Sequence, residues 1–187
     1  ITTNTAVGEG SLSSITSGQY NNGVGYNALF GNTTGSQNNA FGYASLQGLT
    51  TGANNSAFGH GALLTATSTS NNSAFGVNAL FNNATGDFNS GFGASVLQNN
   101  TYGQYNTAVG GNTMFGNTTG SQNVAIGLSA LQTNTTGHLN VAIGVNALFT
   151  NSGTQNTALG NYAGYDISSG NNNLILGYNT GRGITTG

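Results

Sequence analysis

"NTAVGGNTMFGNTTGSQ" occupies Asn106–Gln122, and the next seventeen residues, Asn123–Leu139, read "NVAIGLSALQTNTTGHL". Each line opens with Asn, closes a short apolar stretch with Gly, and places Met or Leu four residues beyond that Gly. Each then runs into Asn-Thr-Thr-Gly. Followed outward in both directions, the opening Asn recurs as Asn4, Asn21, Asn38, Asn55, Asn72, Asn89, Asn106, Asn123, Asn140, Asn156 and Asn173. Every step is 17 residues except the 16 from Asn140 to Asn156, where "TNSG" (Thr150–Gly153) replaces "TNTTG". The partner glycine is present throughout, as Gly8, Gly25, Gly42, Gly59, Gly76, Gly93, Gly110, Gly127, Gly144, Gly160 and Gly177.

A strict period this short implies a solenoid, because one 17-residue unit cannot bury its apolar residues alone. Coils stacked through sheet hydrogen bonds rise ~4.8 Å each, so eleven of them make a rod roughly 50 Å long. The fold class is therefore all-β: a β-solenoid of about eleven 17-residue coils, with residues 1–187 as a single repeat domain. "TAVG", "SAFG" and "VAIG" read as short strands. "NTTG" reads as a turn, which Asn opens through its side chain and Gly closes. The middle of the coil leaves alternatives open. "YNALF" and "VNALF" hold Ala and Leu, which favour a short helical turn per coil; a flat two-stranded coil is the other arrangement. The strand's last apolar residue and the Leu lie five apart, so on one unbroken strand they would face opposite ways. Either the chain turns at the Gly and both point inward, or one faces a partner chain. The Asn column is expected to hydrogen-bond along the axis, and the Gly column to mark a corner without room for a side chain.

Composition narrows function. The chain has 187 residues with one Arg, no Lys, three acids and 2% charged residues. Its 32 Gly and 31 Asn make up a third of it, yet eight Tyr and nine Phe argue for order. Nucleic-acid binding needs many phosphate-neutralising cations, and an anionic membrane surface needs a basic patch. No apolar run approaches the ~20 residues of a membrane span. Without Cys there is no disulfide framework and no thiolate metal site. Starting at Ile1, with no signal-peptide pattern, the chain reads as a mature or cropped piece of something longer.

Once written out, the "NTAVG…NALF.NTTGSQ" unit resembles the repeats of bacterial and phage tail-fibre-like surface proteins. The "NTAVG" and "NVAIG" units are also similar to the β-roll heads of trimeric autotransporter adhesins, whose coils are somewhat shorter. The resemblance covers nearly the whole chain. It implies an extracellular fibre or surface appendage in which trimerisation is common, and it carries over no catalytic residue and no receptor site.

Catalytic chemistry is not expected. Glu9, Asp87 and Asp166 fall in coils one, five and ten, and His60 and His138 in coils four and eight, so no acid–base pair converges. Calcium-binding rolls would need Asp in every coil, and the Gly runs lack the GK[ST] of a phosphate loop. We expect a non-enzyme with no cofactor and no metal.

Three surface features remain. Seven Asn-x-Ser/Thr triplets occur, at Asn32, Asn54, Asn71, Asn83, Asn99, Asn117 and Asn134, no more than composition supplies. Asn32, Asn83, Asn117 and Asn134 share one coil position, so N-glycosylation there would form a stripe along the turn edge. The residue after the Leu is bulky and apolar at about every second coil, at Phe30, Leu64, Phe81, Phe115 and Phe149, with Gln47, Gln98 and Gln132 between them. Such a stripe is a candidate interface for lateral self-association. Thr pairs at the turn (Thr33–Thr34, Thr50–Thr51, Thr118–Thr119, Thr135–Thr136, Thr185–Thr186) suggest ice binding in a third reading. Neither end carries a charged strand, a Pro or a capping helix, and 187 is eleven times 17, so head-to-tail stacking would continue the columns almost in phase.

The expectation is a structural subunit of an extracellular fibre, built from copies of itself as a homotrimer or a head-to-tail fibril, whether as a polymerising subunit or as part of a longer fibre. The alternative is an adhesin or tail-fibre shaft that binds surface glycans. Neither reading involves nucleic acid or membrane insertion.

Overall fold

A computed structural model of the chain describes residues 3–183. Eleven three-residue strands follow one another: β1 (Thr5–Val7), β2 (Asn22–Val24), β3 (Asn39–Phe41), β4 (Ser56–Phe58), β5 (Ser73–Phe75), β6 (Ser90–Phe92), β7 (Thr107–Val109), β8 (Val124–Ile126), β9 (Val141–Ile143), β10 (Thr157–Leu159) and β11 (Leu174–Leu176). They form one parallel sheet in sequence order, each strand paired with the equivalent residues of the next. The chain is a β-solenoid with one strand per coil.

The rest of the coil is a chain of turns, and no helix occurs among the described residues. The helical turn anticipated from "YNALF" is therefore replaced. Its backbone visits the left-handed region twice, at Asn27 (φ 53°) and Leu29 (φ 54°). These excursions aim successive peptide groups in opposite directions along the axis. Asn27 N–H donates to Glu9 O in the coil before, and Leu29 N–H to Ser45 O in the coil after. A helical turn would have kept such bonds within its own coil. Stacking needs them between coils, and that requirement outweighs the local preference of Ala and Leu.

Three left-handed columns result, at the residue before the opening Asn and at the positions of Asn27 and Leu29. Twenty-eight described non-glycine residues have φ between 48° and 61°, and none is Val, Ile or Thr. The left-handed conformation costs an ordinary residue ~1–2 kcal/mol and suits a β-branched one worst. This explains why the core column after the strands is Leu or Met in nine coils and Gly in the last two, and never the Val or Ile that the strands take.

The core is narrow. The middle residue of each strand points inward, most often as a fully buried Ala such as Ala40, Ala57 or Ala74. The Leu column from Leu12 to Leu148, with Met114 in the series, packs against it at 0–5% exposure. Volume is shared between levels where the pattern breaks. Gly164 stands where the Leu would be, and a Cβ there would lie 2.9 Å from both Ile175 Cδ1 and Leu148 Cδ2. Ile175, in place of the strand Ala, fills the gap. The 16-residue coil is absorbed in its turn. Asn151 and Gly153 are two apart where Asn117 and Gly120 are three apart, and Thr157 still registers with Val141.

Candidate functional site

The candidate features of this chain are columns, each set by one coil position. The opening Asn column runs inside the rod, with Asn21 through Asn156 fully buried and Asn4 and Asn173 part-buried at its ends. Asn106 typifies it. Its Nδ2 donates to Gly120 O (2.9 Å) and Asn89 Oδ1 (3.1 Å), and its Oδ1 accepts from Asn123 N–H (3.0 Å) and Nδ2 (3.1 Å). Each amide thus ties its own coil's strand entry to the following turn and to both neighbouring levels, satisfying buried polar groups without charge. The Gly column ends each strand at φ 109–143°, and a Cβ on Gly110 would lie 2.7 Å from Gly127 O. No side chain fits between levels at this corner.

The four asparagines assigned to a glycosylated turn edge are placed differently. Asn32, Asn83, Asn117 and Asn134 are all 0% exposed. They belong to a second internal column, eleven residues after the opening Asn, that also holds Ile15, Leu49, Ala66, Asn100, Asn151 and Ile167. Where Asn follows Asn, the amides chain together: Asn100 Nδ2 donates to Asn83 Oδ1 (2.7 Å), Asn117 Nδ2 to Asn100 Oδ1 (2.7 Å), and Asn134 Nδ2 to Asn117 Oδ1 (3.2 Å). A sugar on any of these nitrogens would displace the column, so the turn-edge stripe is corrected to a core ladder. Asn32 stands apart, because the next coil offers Leu49 instead of a donor and its Oδ1 is buried without a partner.

Of the candidate interface residues, Phe30 is 42% exposed, while Leu64, Phe81, Phe115 and Phe149 are half-buried against the turn. The more open apolar column lies elsewhere. Strand positions one and three face away from the core, and position three reads Val7, Val24, Phe41, Phe58, Phe75, Phe92, Val109, Ile126, Ile143, Leu159 and Leu176 without a polar interruption. The strand's last apolar residue therefore points outward and the Leu inward, so the chain does turn at the Gly but does not bring both inside. The four phenylalanines stack with centroids 4.8, 4.8 and 5.0 Å apart. Tyr26, Tyr43 and His60 stack in the same way at 5.2 and 5.0 Å, and Phe88 on Tyr105 at 5.0 Å.

The titratable groups are dispersed and mostly serve the turns. Asp87 Oδ1 accepts from Ser70 N–H (2.7 Å) and His138 Nδ1 from Ser121 N–H (3.0 Å). Ser36 Oγ fills the same role for Gln19 N–H. Asp166 accepts from Arg182 Nε (2.7 Å), and that guanidinium hydrogen bond holds its carboxyl below the ordinary value. Arg182 also lies over the Tyr165 ring at 4.8 Å. Thr33, Thr50 and Thr118 donate their hydroxyls to carbonyls of the next coil. Thr34, Thr51, Thr119, Thr135 and Thr136 are exposed. Thr185, Thr186 and the chain-end positions Ile1 and Gly187 lie outside the described residues.

Comparison with family models, with curated proteins and with solved structures gave no match.

Proposed function

We propose that this chain is a structural, non-enzymatic subunit of an extracellular fibre that associates with copies of itself, laterally or end to end. The observation that carries this reading is the uninterrupted apolar column on the outside of a rigid, in-register rod. Monomeric proteins rarely leave an apolar patch of this extent open to water. The near absence of charge favours the same conclusion, since little repulsion opposes packing of like surfaces. Each level also presents its neighbour with the same hydrogen-bonding edge, which suits end-to-end growth. Asp87, Asp166 and the two histidines, engaged in turns, an ion pair and a ring stack, agree with a scaffold role.

Glycan recognition is the weaker reading. Sugars dock on open aromatic faces, and here rings such as Tyr26, Tyr43 and His60 lie at interplanar angles of 14° and 5°, covering one another's faces and presenting mainly edges. Ice binding has less support still, because the first hydroxyl of several turn pairs is committed to a neighbouring carbonyl. Negative-stain electron microscopy of the purified chain tests the proposal. Filaments or bundled rods are expected. Isolated rods of roughly 50 Å that carry the mass of a single chain at every concentration would refute it.

A further inference from the structure

We propose that the outer face of β1–β11, formed by strand positions one and three, is the surface on which a second copy of this chain packs. The inference rests on the self-association reading above and names its contact surface. Area is the first argument. Eight large apolar residues on this face, among them Val7, Phe92, Ile126, Leu159 and Leu176, keep 38–70% of their surface open, equivalent to about four fully exposed side chains. At ~150–200 Å² each, they offer roughly 600–800 Å². A stable pair buries about 800 Å² per partner, and the small Thr, Ser and Asn side chains of position one would contribute the remainder.

Period is the second argument. A second copy carries the same rise per level, so contacts made at one level recur at every other along the rod. Charge is the third: none of the outward strand positions bears one, so two identical faces meet without repulsion. Order is the fourth. The stacked Phe41–Phe58–Phe75–Phe92 rings already hold fixed rotamers, which lowers the entropic cost of docking. The Phe30 column shares the period but is broken by Gln47, Gln98 and Gln132, is half-buried at most levels, and stacks rings only at Phe149–Tyr165 among the described residues.

The test is sedimentation of the 187-residue chain beside a Phe75→Thr/Ile126→Thr/Leu159→Thr variant, in which Thr preserves strand preference. The parent is expected at a multiple of 18.7 kDa and the variant at 18.7 kDa with an unchanged far-ultraviolet spectrum, its association weakened at least about a hundredfold. A Phe30→Thr/Phe115→Thr variant should keep the parent's mass. A folded triple variant that also keeps the parent's mass overturns the assignment of the face and leaves self-association standing. A parent that sediments at 18.7 kDa overturns the self-association reading itself. Should the triple variant not fold, a fluorophore on Thr107→Cys decides, since the chain has no native Cys. Protection from quencher on assembly supports the face, and unchanged access refutes it.

Discussion

The same substitution, Asn to Leu, should have opposite effects at two equivalent coil positions. Asn32 lies between Ile15 and Leu49 in the second internal column, and its Oδ1 is buried without a donor. Its Nδ2 donates to Gly35 O (3.1 Å), but that carbonyl also accepts from Asn21 Nδ2 (2.8 Å). Asn32→Leu therefore removes an orphaned acceptor and creates no new one. The added volume fits the column, because Leu49 already occupies the next level. An unsatisfied buried polar atom costs ~1–3 kcal/mol, so the variant should gain about 1.5 kcal/mol. At Asn117 the neighbours differ. Leu there deprives Asn100 Oδ1 of its donor, while Gly120 O keeps Asn106 Nδ2 and Asn134 Nδ2 keeps Gly137 O. One orphan is created where the other substitution removed one, a loss of about 1.5 kcal/mol by the same reasoning. Thermal and urea denaturation read the result, with midpoints shifting by roughly 3–6 °C in opposite directions for a chain of this size. Shifts of the same sign at both sites would refute the argument that pairing along the column, and not residue type, sets the energy.

The left-handed columns predict that Leu80→Ile costs about 2 kcal/mol more than Leu80→Met, although Ile is the nearer isomer, because φ is 52° there; urea titration of both variants checks it. Of the adjacent glycines, Gly110→Ala should lose on the order of 3 kcal/mol or more, its Cβ meeting Gly127 backbone at φ 127°, whereas at Gly111 the nearest atom is Leu128 Cδ1 at 3.4 Å and Ala should be tolerated. The Asp166–Arg182 contact should have a local pH dependence. Because its carboxyl is lowered when folded, its contribution is present above the ordinary value of 3.8 and is lost as pH falls through the lowered one. A carboxyl-carbon titration by magnetic resonance should show this lowered midpoint, and Arg182→Ala should return it to the ordinary range.

The parts of this architecture that repeat identically were legible from sequence, and the parts decided by direction were not. The 17-residue period located the Asn and Gly columns, because only stacking keeps such residues at fixed offsets. Period alone does not say which way a residue faces. Phe58 and Leu63, five apart, could both have pointed inward; the corner at Gly59 (φ 140°) and the left-handed Leu63 (φ 52°) put one out and one in. The turns were misread because Ala and Leu favour a helix in isolation, and that preference yields to bonds reaching other coils. A signal was available in the absence of Val and Ile at three offsets, where Thr occurs once, as Thr3 in the first coil. The sequon stripe was misread for a similar reason: Asn-Thr-Thr-Gly looks like surface, yet Ile15, Leu49, Ala66 and Ile167 at the same offset mark the interior.

The coil that is one residue short has a consequence for how such rods vary. Between Asn151 and Gly153 the backbone changes length, while Asn140 Nδ2 still reaches Gly153 O at 2.9 Å and the sheet stays in step on both sides. Length therefore changes by one residue at this bend without loss of register, while every other step between opening asparagines keeps 17. Guest segments spliced there would hang from the shaft without disturbing it, and a row of such bends would space them at regular molecular intervals like rungs.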